Sequence, residues 1–221
     1  MAPTVKNITA LGSSAPALTD SSAEASPSYR NYVLWLLFIV YVFNFVDRQI
    51  LTILIQPIKD EFEFSDTQLG LLGGLAFALL YSTLGVPIAR YADRGNRVSI
   101  IALSLSVWSV FTAVTGLATR FWHFLLARML VGVGEAGCSP AAYSLISDYF
   151  ERERRSTAVS IYSMGIYGGV FLGLLVGGQV AQTYGWRAAF FVVGLPGVLL
   201  AAAVKLTLRE PRTLRPAAAS G

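Results

Sequence analysis

Apolar residues along this chain do not alternate with polar ones; they run together in long blocks separated by short charged turns. Six blocks stand out, at about residues 32–57, 69–91, 98–118, 121–147, 158–182 and 186–206. A helix needs roughly 20 apolar residues to cross a hydrocarbon core ~30 Å thick, and every block reaches that length. All are too long for strands, and a helix satisfies its own backbone groups where no water can. The pattern therefore predicts an all-α membrane protein with six transmembrane helices.

Composition agrees: 54% of residues are hydrophobic and 14% charged, where a soluble chain carries about 25% charge. Residues 1–30 are rich in Ala, Ser, Thr and Pro and lack the apolar core of a signal peptide, so they read as a disordered arm. Residues 31–208 read as the six-helix bundle and 209–221 as a cytoplasmic tail. Between blocks, twelve Lys and Arg fall on one side and only Lys59, Arg120 and Arg187 on the other. Cytoplasmic loops carry such an excess, so both termini are expected in the cytoplasm of a cell whose plasma, or inner, membrane the chain crosses. The net charge of +4 reflects that asymmetry, and no continuous basic surface suggests nucleic acid.

Enzyme chemistry is hard to find. Cys138 is the single cysteine, which excludes an internal disulfide, and there is no H-E-x-x-H and no nucleophile paired with a histidine base. The lone His123 stands beside Trp122 at the start of the fourth block, where an interfacial aromatic belt is expected. Neither an enzyme nor a metal or other cofactor is predicted.

Four ionisable residues do sit inside the blocks: Asp47 and Arg48 in "NFVDRQI", and Arg128 and Glu135 in the fourth. Such residues cost about 2.5–3.5 kcal/mol to insert and mark function by default. Asp47 and Arg48 are adjacent, hence ~100° apart on a helix, so one would face a central cavity and the other brace a neighbour. Asp47 and Arg128 lie at depths that permit contact. Glu135 is two turns beyond Arg128 on nearly the same face, with Gly132, Gly134 and Gly137 around it leaving room for water or substrate. A carboxylate stays ionised beside an arginine and takes a proton once they separate in a low-dielectric cavity. Glu135 is thus the expected proton carrier, and Asp47 with Arg128 the switchable pair. The plainer alternative is an ion pair that only fixes packing. In the fifth block Gly165, Gly169, Gly173 and Gly177 recur every four residues and form a ridge for close helix packing.

Between the second and third blocks the chain reads "IARYADRGNRVSI", with Asp93, Arg94 and Arg97 in a tight turn. "ADRGNR" resembles the signature loop of the major facilitator superfamily, G-x-L-A-D-R-x-G-R, with Ala89 and Asn96 at two of its glycine positions. The D-R-x-N-R form is similar to the spinster-like branch. Arg128, Gly132 and Gly137 match the superfamily's R-x-x-x-G-x-x-x-x-G, and Asn44, Asp47 and Arg48 match its N-x-x-D-R. The resemblance runs over about residues 30–211. It implies the N-terminal six-helix bundle of a twelve-helix carrier, with cargo bound between two bundles near the midplane. It implies that Asp47, Arg48, Arg128 and Glu135 handle protons and substrate, and that Asp93, Arg94 and Arg97 form a gating loop. It also implies a small organic anion or lipid-like amphiphile as cargo, and a C-terminal six-helix bundle, absent here, as partner. A non-transporting six-helix scaffold that binds another chain through the glycine ridge is the alternative.

Overall fold

A computed structural model describes residues 25–211, with the side chains of residues 76, 89 and 91–94 outside the description. Helix α1 (Pro27–Phe62) has 36 residues, so at ~1.5 Å per residue it is longer than the membrane is thick. Its first residues fall within the stretch 1–30 expected as an arm, of which residues 1–24 lie outside the described part. The Ser26 side chain accepts the Tyr29 N–H at 3.3 Å, and Pro27 occupies the first turn, where its missing N–H costs nothing. These caps outweigh the polar composition, and the helix begins four residues early. It ends at Glu63, which takes a left-handed conformation at φ 53°.

The second span consists of α2 (Asp66–Gly70), a π-helical turn over Leu71–Leu75 and α3 (Ala76–Arg94). Ser65 and Gln68 form a reciprocal capping box at its start. Helix α4 (Arg97–Thr115) is capped by Asn96, whose side chain accepts the Ser99 N–H at 2.8 Å. The fourth predicted span divides at Gly137 into α5 (Phe121–Ala136) and α6 (Cys138–Tyr149), of 16 and 12 residues. Five unbroken helices long and apolar enough to cross a membrane therefore remain among the described residues, and α5 with α6 completes the sixth passage. The fifth span is α7 (Arg152–Leu172), a second π-helical turn at Gly173–Gly177, and α8 (Gly178–Tyr184). Gly185, at φ 85°, turns the chain into α9 (Trp186–Thr207).

Glycines decide which helices touch. A Cβ on Gly169 would sit 2.5 Å from both Phe45 Cβ and the Val42 carbonyl, and one on Gly165 would meet the Phe38 carbonyl at 3.1 Å. Gly173 and Gly177 continue the same seam against Gln49 and Ile50. The fifth span thus lies along α1. A second seam joins α4 to α9, where a Cβ on Gly194 would be 2.6 Å from the Ala113 nitrogen. The core forms two clusters: Val33, Leu37, Ile101, Ile146 and Val204 belong to one, and Leu54, Ile58, Phe124, Trp186 and Phe190 to the other. On α1 they meet between Tyr41 and Val42, just before the charged residues.

Residues 212–221 of the expected tail also lie outside the described part. Glu210, expected in the tail, is 5% exposed and packed into the bundle, so the folded unit runs past 208.

Candidate functional site

Helices α1 and α5 each carry a buried acid and an arginine, and these pair crosswise. Asp47 Oδ2 lies 3.7 Å from Arg128 Nη1. Arg48 Nε donates to Glu135 Oε2 at 2.7 Å. Because α1 packs mainly against α7 and α9, its link to α5 is made by long side chains: these two pairs, and Phe62 against Phe124 nearer the end of α1. Asp47, Arg128 and Glu135 are buried, whereas the Arg48 side chain keeps 28% of its exposure. The Arg48 guanidinium also lies 5.2 Å from the Phe45 and Phe77 ring centroids and 5.0 Å from that of Tyr81. At that distance the ring quadrupoles attract a cation.

This arrangement amends the expectations for the fourth span. Arg128 faces Asp47, the contact that their depths permit, whereas the bonded partner of Glu135 is Arg48 and not Arg128. The ~100° between Asp47 and Arg48 lets them reach α5 separately, and the long Arg48 side chain bridges the two-turn offset between Arg128 and Glu135. The neighbouring glycines do not leave space either. A Cβ on Gly134 would be 2.7 Å from the Trp108 nitrogen, one on Gly137 2.7 Å from Ser104 Oγ, and one on Gly132 3.2 Å from the Phe77 carbonyl. Gly132 and Gly134 admit the backbones of α3 and α4, Gly137 admits side chains from the same two helices, and the room they provide is already filled.

Sequence reasoning missed Thr112 on α4, whose hydroxyl donates a short hydrogen bond to Asp47 Oδ1. It stands among Ser104, Ser109 and Thr115 in an apolar helix, and a hydroxyl there can equally bond its own backbone, as Thr115 does at 2.8 Å. Nothing in the sequence separates the two cases.

The cluster holds more hydrogen-bonding capacity than it uses. Asn44 Oδ1, Asp47 Oδ2, Glu135 Oε1 and Arg128 Nε and Nη1 are buried without a hydrogen-bond partner. Each such atom costs about 1–3 kcal/mol. Gathered on two helices, they can take up a proton, or the polar groups of an anion at Arg128. Among the described residues no three His, Cys, Asp or Glu could together hold a metal ion.

The turn that holds Asp93, Arg94 and Arg97 resolves differently. The side chains of Asp93 and Arg94 lie outside the described part. Arg97 is fully buried: its Nε donates to Glu210 Oε1 at 3.0 Å, its backbone N–H to Glu210 Oε2 at 2.6 Å, and its Nη1 to the Ser144 carbonyl at 3.0 Å. Asp148 Oδ2 lies 2.7 Å from the same Nη1. Arg97 therefore ties α4 to α6 and to the segment after α9. Neither acid was picked out from sequence; the only signal was that "ISDYF" and "LREP" each set an acid at the end of an apolar block on the basic side.

A bundle of long apolar helices with buried, crosswise ion pairs defines a multi-pass α-helical membrane protein. The chain belongs to the Major Facilitator Superfamily, whose family model matches residues 37–221. An MFS-type efflux pump of Mycolicibacterium smegmatis is 34% identical over 89% of the chain and 46% of the relative. Protein spinster homolog 1 of Xenopus tropicalis is 35% identical over 78% of the chain and 34% of the relative. A bacterial homolog of the human lysosomal transporter Spinster, solved in an inward-facing and occupied conformation, is 43% identical with a TM-score of 0.82, over 85% of this chain and 46% of that one. These likenesses bear out the spinster-like resemblance. The chain spans about half the length, or less, of the relatives it matches.

Proposed function

We propose that this chain is one bundle of a proton-coupled secondary transporter that moves a small organic anion or lipid-like amphiphile by alternating access. Support for transport comes from the relatives, which include a probable L-galactonate transporter of Escherichia coli at 30% identity. The observation that carries the proton coupling is the buried pairing of Arg48 with Glu135 and of Arg128 with Asp47, with carboxylate oxygens left unbonded in both pairs. Protonation of Glu135 releases Arg48, and the released guanidinium changes what the cavity attracts. Proton and cargo then bias the same rocking of helices around the midplane. Arg128, with two unbonded donors, is the anion-facing residue. A C-terminal six-helix bundle completes the carrier, both termini face the cytoplasm of a plasma or inner membrane, and Asp93, Arg94 and Arg97 gate the cytoplasmic side.

Glu135→Gln keeps the shape of the side chain and abolishes its titration. In proteoliposomes holding this bundle with its second half, the variant should lose pH-gradient-driven accumulation while retaining exchange of cargo across the membrane. Accumulation by the variant at the wild-type level, with the same pH profile, would place the proton elsewhere.

A further inference from the structure

We infer that the outer face of α4 and α9 binds an anionic phospholipid, with the phosphate at Lys205 and Ser99 and an acyl chain in the groove below. This site is separate from the buried charge cluster and does not rest on the transport reading.

The groove is built by two matched heptad stretches. Helix α4 contributes Ser99, Ala102, Leu103 and Ser106, and α9 contributes Val198, Ala201, Ala202 and Lys205. Each set follows the i, i+3, i+4, i+7 spacing of one helix face. Alanines and serines over the contact leave a trough of about 400 Å³. Seven residues of helix make it roughly 10 Å long, about a third of the hydrocarbon thickness. Ala102 and Ala201 form a buried floor, while Leu103, at 66% exposed, and the nearby Leu199, at 74%, turn apolar surface outward. Such surroundings suit hydrocarbon.

Chemistry at one end is different. Lys205 occupies the last turn of α9, at the end of the bundle where Arg97, Arg152, Arg154, Arg155 and Arg209 also lie. Its Nζ donates to Ser99 Oγ at 2.6 Å, and among the described residues it has no carboxylate partner. Ser99 itself stands in the first turn of α4; its backbone N–H is taken by Asn96, so the hydroxyl is what it offers an anion. An ammonium and a hydroxyl therefore converge at headgroup depth, directly above an apolar trough. A phosphodiester with an attached acyl chain satisfies both parts. A free phosphate would leave the trough empty, and a zwitterionic headgroup would bring its own cation to the lysine.

The test uses native mass spectrometry of the purified full chain with equal amounts of phosphatidylglycerol and phosphatidylcholine. The wild type should retain phosphatidylglycerol preferentially, by about fivefold for one basic side chain at a membrane surface. Lys205→Gln should abolish the preference, and Ala202→Leu, on an exposed groove position, should reduce retention of both lipids. Circular dichroism should be unaltered in both variants. Equal retention of the two lipids by the wild type, or an undiminished preference in Lys205→Gln, overturns the proposal. So does displacement of bound lipid by inorganic phosphate alone, or a dimer of the chain that carries no lipid. If Ala202→Leu lowers helix content, Leu103→Trp, which narrows the trough from its exposed edge, replaces it; full retention of both lipids by that variant also overturns the proposal.

Discussion

Thr112 fixes Asp47 through a single hydroxyl, and a bond from a neutral donor to a buried carboxylate is worth about 1.5–3 kcal/mol. Thr112→Val removes the donor and keeps the shape, so it should lower the thermal midpoint in detergent by an amount of that order, and Thr112→Ser should restore it. A melt unchanged in Thr112→Val would mean that the hydroxyl serves its own helix backbone instead. Glu210 offers a sharper case. Glu210→Ala leaves buried Arg97 with only part of its partners, and stripping one member of a buried ion pair costs about 3–5 kcal/mol. Its folding yield should collapse, and Glu210→Gln, which retains an acceptor, should recover part of it; equal yields for wild type and Glu210→Ala would show Asp148 and Ser144 sufficient. The buried charges were legible in the sequence because hydrocarbon makes any charge conspicuous. The Asp47–Arg128 contact was legible too, from depth along the two helices; the pairing of Glu135 with Arg48 was not, since it turns on which way two helices are rotated and on the reach of Arg48. Glu210 was hidden for another reason: in a short polar stretch before a proline-rich end, an acid reads as solvated.

At the scale of elements, the ridge on the fifth span makes a graded prediction. Gly169→Ala drives a methyl into the Val42 carbonyl and Phe45 Cβ, both 2.5 Å away, and neither is the loose end of a side chain. Overpacking of this kind costs about 1–3 kcal/mol. Gly178, one residue beyond the seam, has nothing within 4 Å, and Gly178→Ala should gain up to about 1 kcal/mol from helix propensity. Thermal melts in one detergent check both; equal midpoints for the two variants would place the seam elsewhere. The six passages and this ridge were readable because hydropathy and four-residue spacing are local properties. The π-helical turns and the break at Gly137 were not, because they depend on how neighbouring helices press on the backbone. Gly194 and Gly197, on the α4–α9 seam, are a single pair three residues apart, too short a repeat to mark a ridge in the sequence.

Burial is unequal across the described residues, and the inequality points to where the proposed second bundle would dock. Only 12% of the apolar window of the second span and 22% of that of the fifth are buried, against 61% of α4. Lipid alone is a poor cover for these two, because they also turn polar groups outward: Ser82 on α3, and Ser160 and Gln179 on the fifth span, are exposed. Another protein surface can bond such groups, and hydrocarbon cannot. The length of the matched Spinster homolog, of which this chain covers 46%, leaves room for such a surface. Cys138 is buried, so single cysteines placed elsewhere can be followed by labelling with a membrane-permeant maleimide. Ser82→Cys and Ser160→Cys should label readily in this bundle alone and become protected when the C-terminal six helices are joined to it. Leu199→Cys, 74% exposed on α9, should label alike in both. Equal labelling of Ser82→Cys and Ser160→Cys with and without those helices would move the interface off the second and fifth spans, and with it the cavity in which Arg48 and Glu135 are proposed to act.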